Sequence, residues 1–473
     1  MMRHHTVRDS LALGRLCGEY AARLFCPVGS YAGFMSTESF MGSGDAPPGG
    51  ASLGTAASLD AAPLAHVVDL VRSGRAVTRP RLVVVSGLTR KVVTQRVEDA
   101  FRLGLLRDGG LAASEGGRQA RLLEFNADAA RVFGVLIEAS EITVGVADLR
   151  GRLLSTSHED WSVDNGPDAT MARVKAHIDA LAAREPRLRA WGIGVGVPGP
   201  VDLTTGRLVS PPIMPGWHGF SARAWLREHV DAPVWVDNDV NLMAIGEWTF
   251  GPGPTADDML FIKLGTGIGS AVISRGRLLR GQRGGAGEIG HVHITDAPDA
   301  VCRCGLVGCL EAVAGGWSLL AEATRRAAES PVLEQALTER HQVTLGDIGV
   351  AAQVGDALVR ELIEARANVI GDVAANLVNF ANPGQLVIGG GVLRTGDGFL
   401  DIIGAVIQRR STRLATDGLV IRSASLDQNE GVAGAALLAT ENLFAPTALA
   451  RWIEDGNPLG HAATLQQLPA AYV

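Results

Sequence analysis

The stretch of sequence that decides the fold runs from residue 264 to residue 311. It opens with LGTGIGSAVISRGRLLRGQRGGAGEIGH at positions 264–291 and closes with CRCGLVGCLE at positions 302–311. Cys302, Cys304 and Cys309 lie within eight residues of one another, whereas Cys17 and Cys26 stand alone near the N-terminus. Thiols grouped this closely, with glycines that let the chain fold back between them, predict a metal site rather than disulfides.

A tetrahedral structural zinc needs a fourth ligand, and a histidine just upstream can supply it. His291 and His293 are the two candidates. On a strand, side chains two residues apart point to the same side, so spacing alone does not choose between them. Either histidine completes a Cys₃His set with no open coordination position, which predicts a structural zinc.

The chain around this stretch alternates strand-like and helix-like segments, which predicts an α/β fold for residues 131–445. The strand-bearing segments are RVFGVLIEASEITVGVADLRGRLL at 131–154, AWGIGVGVPGPVD at 190–202, PVWVDNDVNLMAIGEW at 233–248, DMLFIKLGTGIGSAVISRGRLL at 258–279 and QLVIGGGVL at 385–393. Several of them run directly into glycine and acidic residues. Strand ends of this kind are where α/β proteins place ligand sites.

Residues 61–125 predict a separate helical module. A first apolar stripe at helical spacing stops at Gly74, Thr78 can cap a second helix, and Thr89 can cap a third helix that continues to residue 106. Strand-like pieces around a Gly-Gly-Arg turn follow. The pattern predicts a winged helix-turn-helix, whose third helix enters the major groove of DNA.

The candidate DNA contacts lie on the third helix and on the wing of this module. They are Arg90, Lys91, Thr94, Gln95 and Arg96 on the helix, and Arg118 at the tip of the wing. The module holds eleven Lys and Arg against six Asp and Glu, in a chain whose net charge is −7. A basic module in an acidic chain is typical of a protein in which one part contacts DNA. For Arg118, a solvated loop arginine is the alternative.

The ends of the chain are expected to be less ordered. Residues 1–60 are predicted to be a disordered tail, or to precede a translational start at Met35 or Met41, because positions 41–63 are rich in Gly, Ala, Ser and Pro. Residues 446–473 are predicted to be a C-terminal tail. No apolar run reaches the length of a membrane span, and the N-terminus lacks the pattern of a secretory signal. We therefore expect a cytoplasmic protein without a membrane partner.

The order of these motifs resembles the ROK family of repressors, open reading frames and sugar kinases. The resemblance rests on GVPGPVD, VDNDVN, the 264–291 stretch, VIGGG and, most specifically, CRCGLVGCLE. It implies a two-lobed, actin-like and ribonuclease-H-like ATPase fold, with lobes at about 131–245 and 246–445. Members with an N-terminal winged helix-turn-helix are mostly regulators of sugar genes. Because the family's zinc ligand directly follows Glu-Ile-Gly, the resemblance selects His291.

The resemblance also implies a sugar site in the cleft between the lobes. Its candidate residues are Gly199, Asn238, Asp239, Glu288, His291 and Glu311. Carboxylates and amides suit the paired donor and acceptor character of sugar hydroxyls. Asp239 stands where the family's kinases keep the general base, and here it is expected to be a vestige of that base. Capping of the following helix is the alternative role for Asp237 and Asp239.

The nucleotide half departs from the family pattern. Kinases begin with Asp-x-Gly-Gly-Thr on the first hairpin, and the matching residues here run from Leu136 to Ser140. Leu136 replaces the acid and Glu138 replaces a glycine; a shift of two residues would instead put Glu138 in the acidic place. The remnants of the nucleotide loops are Ser140, Gly265, Thr266, Gly267, Gly389 and Gly390. Phosphoryl transfer depends on positioned metal and charge, so we expect little kinase activity.

The sequence thus predicts a DNA-binding regulator of sugar-metabolism genes, acting as a repressor. Its expected partners are operator DNA and a sugar or sugar-phosphate effector, and structural zinc is its expected cofactor. Operators for such modules usually have two half-sites, which predicts a homodimer or a homotetramer. The alternatives are an ATP-dependent kinase of a hexose or amino sugar, and a silent protein-interaction module that has lost DNA binding.

Overall fold

The structure is a computed structural model that describes residues 58–111, 119–186, 189–202, 205–252, 257–396 and 398–468. The tail predicted for residues 1–60 therefore lies outside the described residues, apart from its last three positions. Arg118, the predicted tip of the wing, lies outside them as well.

The N-terminal module, residues 58–125, contains three helices followed by a two-stranded antiparallel ribbon. The elements are α1 (Ser58–Arg72), α2 (Arg79–Ser86), α3 (Arg90–Arg102), β1 (Leu106–Leu111) and β2 (Arg121–Phe125). Thr78 and Thr89 cap α2 and α3 through their side-chain oxygens, as their residue type predicts. The third helix ends at Arg102 rather than at residue 106, because Gly104 takes a positive φ of 72° and the chain turns into β1.

The first lobe is built on a five-stranded mixed sheet. Its strands are β3 (Arg131–Ile137), β4 (Glu141–Ala147), β5 (Leu153–Asp160), β6 (Ala190–Val197) and β7 (Val234–Asn238), in the order β5-β4-β3-β6-β7. The first three strands form an antiparallel meander, and β6 and β7 continue the sheet parallel to β3. Three helices belong to this lobe: α4 (Pro167–Ala182), α5 (Ala222–His229) and α6 (Asp239–Phe250).

The second lobe repeats the same topology. Its strands are β8 (Met259–Leu264), β9 (Ile268–Ser274), β10 (Arg277–Leu278), β11 (Gln385–Gly389) and β12 (Val420–Ser423), in the order β10-β9-β8-β11-β12. Its helices are α7 (Leu310–Ala314), α8 (Gly316–Arg325), α9 (Pro331–Arg340), α10 (Leu345–Gln353), α11 (Ala357–Ala381), α12 (Gly398–Arg410) and α13 (Arg413–Thr416). The predicted α/β fold with two lobes is thus present.

Helix α14 (Glu430–Phe444) packs against the first lobe along β3, β6 and α6. Small residues make this approach possible. A Cβ atom on Gly194 or on Gly434 would lie 1.8 Å from a backbone oxygen of Ala435 or Leu242, respectively. The helix therefore rests backbone to backbone on the sheet and on α6, which fixes its position closely.

The segment after residue 445 differs from the tail that the sequence predicts. It forms α15 (Pro446–Trp452) and a short helix, α16 (Ala462–Leu465), and α15 packs against α1 of the N-terminal module. Trp452 is fully buried and contacts the rings of Trp191 and Phe444 edge to face. These aromatic contacts bury enough apolar surface to order the segment.

Among the described residues, no single helix has both the length and the apolar composition to cross a membrane. Two consecutive helical segments, Glu430–Phe444 and Pro446–Asp455, meet those criteria when taken together, but the chain bends by 66° between them.

Candidate functional site

A cavity of about 650 Å³ lies in the cleft between the two lobes. All six residues of the predicted sugar site line it: Gly199, Asn238, Asp239, Glu288, His291 and Glu311. They come from two loops and two helix starts that are up to 112 positions apart in the sequence, from 199 to 311. The fold thus brings together the polar groups that the sequence predicts for this site.

Asn238 is the residue that caps helix α6. Its Oδ1 accepts hydrogen bonds from the backbone of Val240 at 2.9 Å and of Asn241 at 3.2 Å, and its Nδ2 donates to the carbonyl of Gly199 at 3.1 Å. The capping role considered for Asp237 and Asp239 therefore belongs chiefly to Asn238. This cap also ties the loop at Gly199 to the start of the helix.

Asp237 has a structural role instead. Its side chain is 4% exposed and pairs with the guanidinium of Arg280, at 2.9 Å, in a loop of the second lobe. It also accepts a hydrogen bond from Asn241 Nδ2 at 3.0 Å. A buried carboxylate needs such partners, because an unpaired charge in the interior is costly.

Glu311 lies in the first turn of helix α7 and lines the cavity. Oε2 accepts a hydrogen bond from the backbone of Ile268 at 3.0 Å. Oε1 is buried and has no hydrogen-bond partner among the described residues. Gly267 makes room for this side chain, since a Cβ there would lie 2.2 Å from Glu311 Oε2. A buried acceptor without a partner is ready to receive a ligand hydroxyl.

Glu288 and His291 also line this cavity. Burial raises the pKa of Glu288, although His291 nearby opposes that rise. His291 Nε2 lies 4.0 Å from Glu288 Oε2. His291 thus faces the cavity with Nε2, which leaves Nδ1 for the cysteine cluster.

A second cavity of about 660 Å³ adjoins the first and is lined by the nucleotide-loop remnants. Ser140, Gly265, Thr266, Gly267 and Gly390 line it. Gly389 does not: it is the last residue of β11, where a Cβ would lie 2.7 Å from the ring of Phe261. The acids that line this cavity from the first hairpin are Glu138 and Glu141, and Leu136 lines it as an apolar wall.

Lys263 is the site residue that the sequence analysis did not identify. It ends as a buried ammonium between the two cavities, 2.7 Å from Asp239 Oδ2 and in contact with Glu138 Oε1. Burial disfavours its charge, but the carboxylates of Asp239 and Glu138 outweigh burial and raise the pKa of Lys263. The available signal was one lysine inside the otherwise apolar strand MLFIKL, directly before the glycine loop.

Four ligand atoms of the predicted metal set converge. The donor atoms of His291, Cys302, Cys304 and Cys309 all lie within 4.8 Å of one another. His291 Nδ1 is 3.7 Å from Cys302 Sγ, and Cys304 Sγ is 3.7 Å from Cys309 Sγ. Zinc–sulfur bonds of about 2.3 Å in a tetrahedron place two sulfurs about 3.8 Å apart, so the donor set fits zinc.

His293 lies outside this group. Its side chain is exposed, and its Nε2 is 3.3 Å from Asp296 Oδ1. The backbone of His293 instead pairs with that of Cys309 in an isolated bridge. Of the two histidines that spacing left open, His291 is therefore the one placed to coordinate a metal.

The predicted DNA-contact residues divide into two groups. Arg90, Lys91, Thr94 and Gln95 are exposed on the N-terminal half of α3. Arg96 differs, because its side chain is only 14% exposed and its Nη1 lies 3.1 Å from Asp99 Oδ2. Arg96 is thus paired within its own helix and less exposed than the other four residues.

Comparison with known proteins gives the family. A sequence model of the ROK family matches residues 132–442. The glucokinase of Halalkalibacterium halodurans is 34% identical over 311 residues, which cover 63% of this chain and 94% of that protein. The xylose repressor of Caldicellulosiruptor bescii is 27% identical over 354 residues, which cover 73% of this chain and 87% of that protein.

Solved structures agree on the fold. The structure of a ROK family transcriptional regulator, described as a homologue of the E. coli MLC protein, superposes with a TM-score of 0.68 at 23% identity. It covers 84% of this chain and is itself covered completely. At this identity the likeness shows the fold, which is the two-lobed, actin-like sugar-kinase fold. With its family match spanning both lobes, the chain belongs to the ROK family.

Proposed function

We propose that this protein is a DNA-binding transcription regulator, acting as a repressor, whose DNA affinity responds to a sugar bound between the lobes. The observation that carries the proposal is the N-terminal module, in which α3 presents Arg90, Lys91, Thr94 and Gln95 to solvent. Three helices followed by an antiparallel ribbon match a winged helix-turn-helix. The longer alignment with a xylose repressor than with a glucokinase also supports it.

The effector is proposed to be a sugar or a sugar derivative. The first cavity offers an amide, three carboxylates and an imidazole, and within the part of the chain that the structure describes Glu311 Oε1 has no hydrogen-bond partner. Vicinal hydroxyls that both donate and accept would satisfy these groups. An apolar ligand would leave Glu311 Oε1 unpaired, at a cost of about 1–3 kcal/mol.

Zinc is proposed as a structural cofactor held by His291, Cys302, Cys304 and Cys309. Four protein ligands close the coordination sphere, so the metal would stabilise the fold rather than take part in chemistry. Because Nε2 of the same His291 lines the sugar cavity, the zinc would also fix the orientation of that ring.

Helix α14 offers a route from the cleft to the DNA. Its first residue, Glu430, lines the second cavity. Its last turn carries Glu441, which pairs with Arg72 at the end of α1 at 2.7 Å. A sugar that prefers one arrangement of the lobes would shift the rigidly packed α14 and thereby the N-terminal module. Two half-sites on an operator would require at least a homodimer.

A footprint of the protein on DNA from its own upstream region tests this proposal. A regulator should protect two half-sites about 10 base pairs apart, or a multiple of that spacing, and should lose protection with Lys91→Ala or Gln95→Ala. Absence of sequence-specific protection would instead favour the silent interaction module.

A second candidate is an ATP-dependent sugar kinase, supported by the 34% identity to a glucokinase and by the retained Gly265-Thr266-Gly267 loop. Against it stand Leu136 on the first hairpin and the ammonium of Lys263 on Asp239. Burial raises the pKa of Asp239, but Lys263 Nζ occupies Asp239 Oδ2, so that oxygen is not free to take a proton from a sugar hydroxyl. Turnover of ATP that depends on sugar and is lost in Asp239→Asn would support the kinase.

A further inference from the structure

Lys263 joins the two lobes through a single ammonium. It lies on β8 of the second lobe, whereas Glu138 follows β3 and Asp239 begins α6, both in the first lobe. All three side chains are largely buried, with 10% of Lys263, 20% of Glu138 and 4% of Asp239 exposed. Lys263 also lines both cavities, so it forms part of the wall between them.

Two of the charged residues that line the second cavity, Lys263 and Glu138, already pair with each other. Lys263 and Arg394 are its cations, and Glu138, Glu141 and Glu430 are its carboxyl groups. Burial raises the pKa of Glu430 to about 7, and burial together with a hydrogen bond that the protonated Glu141 carboxyl donates to the Glu138 carboxylate raises the pKa of Glu141 to about 8. Near neutral pH Glu138 is therefore the fully ionised carboxylate among these three, and it is the one already in contact with Lys263.

Phosphoryl transfer from a nucleotide needs a divalent cation that neutralises the phosphates. Carboxylate oxygens are the protein ligands such a cation prefers. In this cleft the space between two carboxylates is filled by Lys263 Nζ, which lies 2.7 Å from Asp239 Oδ2 and also touches Glu138. An ammonium and a metal ion cannot occupy that space together.

We infer that Lys263 is the specificity-determining residue that keeps divalent cations, and with them metal-bound nucleotides, out of the cleft. It does so as a built-in cation between Glu138 and Asp239. The inference rests on the proposed function in one respect, which is that the protein is a regulator without kinase activity. This role of Lys263 is separate from the replacement of the first-hairpin acid by Leu136. Removal of the Lys263 side chain alone should restore a cation site.

The test is Mn²⁺ binding to the full-length protein, followed by electron paramagnetic resonance of free Mn²⁺. Removing the ammonium in Lys263→Ala leaves two buried carboxylates facing one space, which should capture one Mn²⁺ per chain at least tenfold more tightly than the wild type. Adding Glu138→Gln to that variant should abolish the gain. Lys175→Ala removes a lysine that pairs with Asp179 on α4, outside the cleft, and is the matched control, with no gain expected.

A second variant covers the case in which Lys263→Ala does not fold, since it leaves buried charges unpaired. Lys263→Gln keeps a hydrogen-bond donor without the charge, and Mn²⁺ should raise its thermal midpoint while leaving that of the wild type unchanged. Equal Mn²⁺ affinity in the wild type and in the variants would overturn the inference. So would a gain that persists with Glu138→Gln. Operator binding by the wild type is measured separately, so its failure would count against the regulator alone.

Discussion

Arg72 and Glu441 form a two-point ion pair between the N-terminal module and the core of the protein. Nη1 lies 2.7 Å from Oε1 and Nη2 lies 2.9 Å from Oε2. The Arg72 guanidinium also lies 5.3 Å from the centroid of the Phe444 ring, and the Arg72 carbonyl accepts a hydrogen bond from Arg150. A planar guanidinium that makes two hydrogen bonds to one carboxylate couples a movement of α14 to α1 more tightly than a flexible lysine would.

Breaking this pair should uncouple sugar from DNA. Glu441→Gln is expected to leave operator affinity without sugar within about threefold, because a partly exposed pair contributes about 1 kcal/mol or less. The factor by which sugar changes operator affinity should decrease by more than threefold in this variant, as measured by fluorescence anisotropy. Arg75→Met is the control, since Arg75 pairs with Asp69 inside the same module. An unchanged sugar response in Glu441→Gln would argue against α14 as the route.

The zinc proposal predicts about one zinc per chain. Cys304→Ser should lower both the zinc content, measured by atomic absorption, and the thermal midpoint, because a closed site contributes folding free energy. His293→Ala is the matched control and should keep its zinc, since His293 lies outside the donor group. A zinc-free wild type that is fully folded would contradict the assignment.

The DNA interface predicts different effects for two arginines of α3. Arg90→Ala should weaken operator binding clearly and reduce the slope of log affinity against log salt by about one. Arg96→Ala should weaken it less, because Arg96 already pairs with Asp99. Arg409→Ala, an exposed arginine on α12, serves as the control for general charge. Equal losses in all three variants would indicate non-specific electrostatics.

Stability should depend on pH through Glu430. Burial raises its pKa to about 7 in the folded protein, above the ordinary value of 4.5. The folded state therefore binds more protons than the unfolded state between those values, so the contribution of Glu430 to stability is lost as pH rises from about 4.5 to about 7. Glu430→Gln should flatten the fall of the thermal midpoint over that window. An identical pH profile in both proteins would refute this.

Much of the cleft can be predicted from sequence because its residues sit in short local motifs. Asn238, Asp239, Glu288, His291 and Glu311 each belong to such a motif, and all line one cavity. The helices of the N-terminal module were predictable for the same reason, since Thr78 and Thr89 act on adjacent residues.

The features that were missed depend on contacts between distant segments. Lys263 acquires its role only when β8 is brought beside Glu138, which is 125 positions earlier. The ordering of α15 depends on Trp452 meeting Trp191 across the fold. Arg96 is a different case: Asp99 is its neighbour at i+3 on the helix, so that pairing was readable from the spacing.

The most direct test of the central claim is a sugar titration of the operator complex, with ATP consumption followed in the same samples. For the wild type, one sugar from a panel of pentoses, hexoses, amino sugars and their phosphates should change operator affinity at least tenfold, with no sugar-dependent use of ATP. Glu311→Gln should bind the operator normally and lose the response, because it alters the carboxylate with the unpaired oxygen; Glu322→Gln, on α8, should respond like the wild type. Sugar-dependent ATP consumption without any change in operator affinity would contradict the account.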